Sequence, residues 1–136
     1  MTMQMNPYLS FAGNAAEALD FYRSVLGGEL DVTRFGEFMP DAGDDADKVM
    51  HGQLTAASGH VLMASDVPAG MGEPPGNGTV CLSGDDVALR DHFAALSQGG
   101  EVTVALEKQM WGDEFGELVD RYGVRWMVDL TPPADA

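Results

Sequence analysis

A five-residue pattern occurs twice in this chain, and an internal repeat restricts the available folds more than any bulk property does. Leu26-Gly27-Gly28-Glu29-Leu30 returns as Gln98-Gly99-Gly100-Glu101-Val102, with Gly27 and Gly99 72 residues apart. The same shift lays the segment 15–26 over 87–98. It brings Leu9-Ser10 to within one residue of Leu82-Ser83.

Both halves carry the same signals in the same order. Asn14 with Glu17 three residues on has the spacing of an N-terminal capping box. Ala18, Leu19, Tyr22, Val25 and Leu26 follow at helical spacing, and Gly27 suits the left-handed residue that ends a helix. In the second half Asp85 or Asp86 caps, Leu89, Phe93 and Leu96 make the stripe, and Gly99 stops it. Strand patterns occupy 7–12 before the first helix and 29–35, 49–56 and 60–65 after it. In the second half they occupy 79–83, then 101–110, 117–121 and 125–130. Ser58-Gly59 and Tyr122-Gly123 are tight-turn signals joining the last two strands of each half. The order is βαβββ twice, an α+β chain. Module 1 runs over about 5–66, a Pro- and Gly-rich linker over 67–77 and module 2 over about 78–131, together one domain across 1–136. The acidic segment 37–47 has no counterpart in the second half.

At 136 residues and 45% apolar, the chain can bury a core without metal or disulfide staples. No apolar run reaches the roughly 18 residues of a membrane span. Residues 1–6 show neither the basic head nor the apolar stretch of a secretory signal. The lone Cys81 has no intramolecular disulfide partner, and these features together place the chain in a reducing cytoplasm. A net charge of −15 repels phosphate backbones and anionic lipid, which argues against nucleic-acid and membrane-surface partners. Asp41, Asp44, Asp45 and Asp47 share one loop but lack the spacing and terminal Glu of an EF-hand.

Asn14-Ala15-Ala16-Glu17-Ala18, followed by Phe21-Tyr22 and Leu26-Gly27-Gly28, resembles the first helix of the vicinal-oxygen-chelate superfamily of glyoxalases, bleomycin-resistance proteins and dioxygenases. Trp111-Gly112-Asp113-Glu114-Phe115-Gly116, with Asp120-Arg121-Tyr122-Gly123-Val124-Arg125-Trp126, resembles its last hairpin. Val49-Met50-His51-Gly52, Leu62-Met63-Ala64-Ser65-Asp66 and the Trp-Gly-Asp motif are similar to the PhnB-like subgroup. The resemblance covers nearly the whole chain. It implies two modules forming a cup-like mixed sheet, helices on the outer face, a small-molecule site inside and a homodimer. It also implies that many relatives hold a divalent metal with His, Glu or Gln, while some resistance proteins only sequester a drug. Fold does not fix function in such a family. Some PhnB-like proteins carry a name suggesting a ubiquinone methyltransferase, but no Gly-rich turn after a strand is present here to hold a methyl donor.

The resemblance places metal ligands early on the first strand of each module and late on the last. Counting from Asn14 and from the hairpin glycines reaches Pro7, Thr79, Met63 and Met127. Apart from a weak Thr hydroxyl, these offer no nitrogen or oxygen donor. A shift of one residue offers Tyr8, Val80, Leu62 or Ala64, and Trp126 or Val128, which are no better. Two Met thioethers suit Cu(I), or simply fill a core. The expectation is no metal at the usual positions and no cofactor.

Strand side chains alternate faces. If the former ligand positions face the cup, then Leu9, Phe11, Met63, Thr79, Cys81 and Met127 do too, with Tyr8, Leu62, Val80, Leu82, Trp126 and Val128 under the helices. His51 and Gln53 share one strand face, and Glu107, Gln109 and Trp111 share another; the parity of each towards the cup stays open. Facing inward, and joined by Phe35, they complete a mostly apolar cavity with a few converging polar groups. There His51 serves as a base near neutral pH, and Glu107 orients it or takes the proton. The alternatives are a hydrogen-bonded or dimer-contact His51 and a solvated Glu107. Cys81 reads as a buried inert thiol, because no basic residue adjoins it. Trp111 reads as a pocket wall or dimer anchor, and Trp126 as core. The leading function is metal-free binding of an apolar or aromatic small molecule. The alternatives are a lyase, isomerase or dioxygenase-type enzyme using His51 and Glu107 or a displaced divalent metal, and a dimeric scaffold without a ligand.

Overall fold

The computed structural model describes residues 3–74 and 76–132, where alternating sequence becomes strand and the spaced apolar stripes become two helices. In chain order these are β1 (Tyr8–Phe11), α1 (Ala15–Leu26), β2 (Glu29–Arg34), β3 (Val49–Thr55), β4 (Val61–Asp66), β5 (Thr79–Gly84), α2 (Ala88–Leu96), β6 (Glu101–Lys108), β7 (Glu114–Val119) and β8 (Arg125–Leu130). Of two short 3-10 turns, Phe35–Glu37 leads into the acidic segment and Gly43–Asp45 lies within it. The order is βαβββ twice, and the chain divides into two units between Asn77 and Gly78.

Each unit is a four-stranded mixed sheet, β1-β4-β3-β2 in the first and β5-β8-β7-β6 in the second. The first strand of each unit pairs in parallel with the last, β1 with β4 and β5 with β8, and the remaining pairs are antiparallel. A parallel pair needs a crossover, and the helix of each unit supplies it.

In unit 1, α1 lays Ala15, Ala18, Leu19 and Tyr22 against Leu9, Phe11, Leu54, Leu62 and Ala64 of the sheet, all buried. Removing one Leu-sized side chain from water contributes about 2 kcal/mol. Gly52 lets α1 approach, since a Cβ there would overlap Leu19 Cδ1. The helix ends at Gly27 (φ 71°), whose N–H donates to Arg23 O at 2.8 Å.

The start of α1 differs from the expected capping box, because the Asn14 side chain makes no capping bond. Asp66 takes the role from the end of β4. Its Oδ1 accepts from Gly13 N at 2.8 Å and Ala15 N at 2.9 Å, and its Oδ2 accepts from Val49 N at 2.8 Å. The register sets Asp66 beside Phe11, where the chain leaves β1 for the helix. A buried carboxylate needs donors, and free backbone N–H groups at a helix start supply them.

Unit 2 repeats the plan with Leu89, Phe93 and Leu96 of α2 over Leu118, Trp126, Val128 and Leu130. Of the two cap candidates, Asp86 Oδ1 accepts from Ala88 N at 2.9 Å. Strand β7 begins three residues earlier than its sequence suggests and stops at Val119. Gly116 lies in the strand beneath Phe93. A Cβ there would sit 2.8 Å from Phe93 Cε2 and 2.9 Å from Leu106 Cα. The reversal falls at Asp120, whose Oδ1 accepts from Tyr122 N at 2.8 Å and Val124 N at 3.0 Å.

Candidate functional site

A helix covers one face of each sheet, and the opposite face gathers the polar and soft side chains. In unit 1 the register aligns Tyr8 with Met63, Met63 with Gln53 and Gln53 with Asp31 across all four strands. Paired residues point to the same face. The neighbouring row holds Ser10 and Ser65, with His51 paired to Thr33 on β2. Met63, Gln53 and His51 are half-buried and Tyr8 is 48% exposed. The Tyr8 hydroxyl lies 3.2 Å from His51 Nδ1, and the rings stand 5.7 Å apart at 33°.

Leu9 and Phe11 therefore do not line this face. They are 1% and 4% exposed beneath α1, and Tyr8 and Ser10 take the open side. The reason is a one-residue slip in the repeat. Gly27 and Gly99 stand 72 apart, but the helices begin at Ala15 and Ala88, 73 apart. The first strands follow the helix starts. Tyr8 sits opposite Met63 as Cys81 sits opposite Met127, whereas counting by 72 matched Pro7 to Thr79.

In unit 2 the open face carries Thr79, Cys81 and Ser83 on β5, Arg125, Met127 and Asp129 on β8, and Phe115 and Glu117 on β7. Thr79 and Cys81 are exposed and Met127 is half-buried. The expectation of a buried Cys81 is corrected. Its thiol is still pushed up from 9.0, first by partial desolvation and then by the charge of Asp129, so it is a weak nucleophile at neutral pH. Arg125 pairs with Glu117 at 3.4 Å. Asp129 Oδ1 is shut off from solvent with no donor among the described residues. Its neighbour is the carboxyl of Asp113, which accepts and has no proton to give unless one of the two is neutral. Burial, then contact with Asp113, raises Asp129 above 3.8.

Glu107 is exposed on β6 opposite Phe115. Gln109 Nε2 donates to Glu107 O at 2.9 Å, and Trp111 is 61% exposed with its ring 6.5 Å from Phe115. Phe35 opens a 3-10 turn and is half-buried, its N–H bonded to Lys48 O at 3.0 Å. His51 belongs to unit 1 and Glu107 to unit 2, and the partner that His51 meets in its own unit is a phenol. Sequence reasoning assigned Tyr8 to the buried face and did not foresee the Asp113–Asp129 contact. Alternation along β8 did put Asp129 on the face of Met127.

A hollow of about 150 Å³ lies in unit 2 between Val87 and Arg90 of the α2 region and Lys108, Glu114 and Leu130 of the sheet. It contains none of the candidate catalytic or pocket residues expected from the sequence, although Gly112 and Glu114 of the Trp-Gly-Asp motif line it. Across it Arg90 holds Glu114, whose carboxyl this guanidinium keeps below 4.5.

The donors at the paired strand positions are a phenol and a thioether in unit 1, and a thiol and a thioether in unit 2. This set does not fit a hard or borderline divalent ion, which takes imidazole and carboxylate. Among the described residues, no three or more His, Cys, Asp or Glu side chains are grouped so as to hold a metal.

The family model of the glyoxalase/bleomycin resistance protein/dioxygenase superfamily matches residues 4–128. The chain belongs to this superfamily. Among curated relatives of this superfamily member, protein YjdN of Escherichia coli K12 is 29% identical, over 94% of this chain and 95% of its own. Among solved structures, protein PA1353 of Pseudomonas aeruginosa is 38% identical with a TM-score of 0.83, over 96% of this chain and 99% of that one. The Bacillus cereus PhnB protein, described as a putative 3-demethylubiquinone-9 3-methyltransferase, shares the fold at 24% identity. Its TM-score is 0.75, over 95% of this chain and all of that one. No described helix of this superfamily member is long and apolar enough to cross a membrane.

Proposed function

We propose that this chain binds a small apolar or aromatic molecule on the open faces of its sheets, in the manner of a drug-sequestering superfamily member. It does so without the divalent metal that many relatives use. The observation that carries this reading is the row Tyr8–Met63–Gln53 beside His51. It is a sheet surface of ring and thioether with two polar handles, where the paired positions offer a phenol and a thioether instead of imidazole and carboxylate. A surface of that composition removes hydrocarbon from water and orients it with few hydrogen bonds. The acidic surface favours neutral ligands over anions.

The test is a thermal-shift series on the full chain with apolar aromatic compounds, run beside metal analysis of protein purified without chelator. Melting temperatures that rise with aromatic probes, in metal-free protein, support the reading. Stoichiometric Zn, Mn, Fe or Ni together with turnover of a glyoxalase- or dioxygenase-type substrate would sink it and shift attention to chemistry at His51 and Glu107. The same reading takes the protein as a homodimer, and a monomeric mass at micromolar concentration would remove that part.

A further inference from the structure

The polar handle of the unit 1 face is a pair whose proton arrangement decides what it recognises. Tyr8 on β1 reaches His51 on β3 across β4, with its hydroxyl 3.2 Å from Nδ1. Two neutral arrangements satisfy that contact: Tyr O–H donating to Nδ1 with the imidazole proton on Nε2, or Nδ1–H donating to the phenol oxygen. A phenol that titrates near 10 is a much stronger donor than a neutral imidazole N–H, and an imidazole nitrogen is a better acceptor than a phenol oxygen. The first arrangement is therefore favoured. His51 Nε2 has no hydrogen-bond partner among the described residues.

We infer that Tyr8 is a positioning residue that fixes His51 as an Nε2–H donor, so that the site selects apolar ligands bearing a neutral hydrogen-bond acceptor such as a ketone, ester or quinone carbonyl. The ligand class rests on the open-face reading above, whereas the tautomer does not. Met63 lies in register beside Tyr8 and offers thioether surface to the hydrocarbon part of the ligand. The tilted Tyr8 ring, 5.7 Å away, braces the imidazole in one orientation. A donor held in place loses less freedom on binding than a mobile one. The net charge of −15 turns the preference from carboxylates to uncharged carbonyls.

Two measurements test this on the full chain. Nitrogen-15 NMR on the neutral imidazole of His51 reads which ring nitrogen carries the proton. The expected pattern is Nε2–H in the native protein, drifting to a mixture in Tyr8→Phe, which keeps the ring and removes only the hydroxyl of an exposed residue. A proton on Nδ1, or a pattern that Tyr8→Phe leaves unchanged, overturns the tautomer assignment. Titration with the near-isosteric probes acetophenone and ethylbenzene, and with benzoate, reads the ligand class. The expected order is acetophenone tighter than ethylbenzene by roughly fivefold, the worth of one net hydrogen bond, benzoate weakest, and a smaller ratio in Tyr8→Phe. Equal binding of acetophenone and ethylbenzene overturns the ligand class while leaving the open-face reading intact. Failure of both probes to bind overturns the ligand class and that reading together, and the tautomer result is then judged alone.

Discussion

The indole N–H of Trp126 donates to Asp120 Oδ2 at 2.9 Å, with both residues buried. The other carboxylate oxygen closes the β7–β8 turn through Tyr122 N and Val124 N. One side chain thus ties the largest core residue of unit 2 to the reversal that aligns β8. Asp120→Ala strands a buried indole donor and two turn amides, each costing about 1–3 kcal/mol in part. The expected loss in urea unfolding is about 3 kcal/mol. Asp120→Asn, which keeps an acceptor oxygen, should lose less. Equal losses for the two variants would show that the charge, not the acceptor geometry, matters.

Asp66 does the corresponding work in unit 1, where one carboxylate joins the start of α1, the turn at Gly13 and the start of β3. Asn14, which carries the sequence signal for a cap, makes no side-chain capping bond. Asn14→Ala should therefore change stability by less than about 0.5 kcal/mol, where a working cap costs about 1. Asp66→Ala should cost about 2–4 kcal/mol, through orphaned amides in a buried setting. Chemical denaturation of the two variants side by side decides the matter, and the reverse order would restore the cap to Asn14.

Signals carried by local chemistry were legible in the sequence. The apolar stripes of both helices, the Gly27 helix end, the Ser58-Gly59 and Tyr122-Gly123 turns and the twofold βαβββ order all depend on neighbours a few residues away. Features settled by partners distant in sequence were not. The face of β1 follows from its pairing with β4, the extent of β7 from its pairing with β8, and the α1 cap from Asp66. The site suffered most from the first of these. A one-residue slip moves every side chain of a strand to the opposite face, and Tyr8, the hydroxyl that meets His51, was placed in the core by that slip.

Asp129 gives a pH dependence whose sign can be worked out. Burial, then the hydrogen bond to and charge of Asp113, holds its carboxyl above the ordinary 3.8, and Cys81 is the other titratable group that feels its charge. A group raised on folding contributes stability that is complete below 3.8 and is lost as the pH rises through its folded value. Wild type should lose stability relative to Asp129→Asn as the pH rises above about 4, and the variant should be the more stable once the Asp129 carboxyl has ionised. Asp20→Asn, on an exposed stretch of α1, controls for the unit change in net charge. Parallel curves for wild type and Asp129→Asn over that rise in pH would show that folding does not shift the Asp129 carboxyl.

The face of β1 decides which residues a ligand can meet, and neighbouring substitutions read it directly. Leu9 is 1% exposed under α1, so Leu9→Ala leaves a cavity and should cost about 2–4 kcal/mol. Being hidden from the open side, it should leave the affinity for an aromatic probe unchanged once the protein is held below its melting range. Tyr8 is 48% exposed, and Tyr8→Ala should cost less than about 1 kcal/mol in stability. It should nonetheless weaken probe binding several-fold, because it removes both the ring that flanks Met63 and the hydroxyl that holds His51. Unfolding curves and probe titrations on the two variants separate fold from site. Loss of binding in Leu9→Ala with none in Tyr8→Ala would put the ligand on the helix side of the sheet and end the open-face reading.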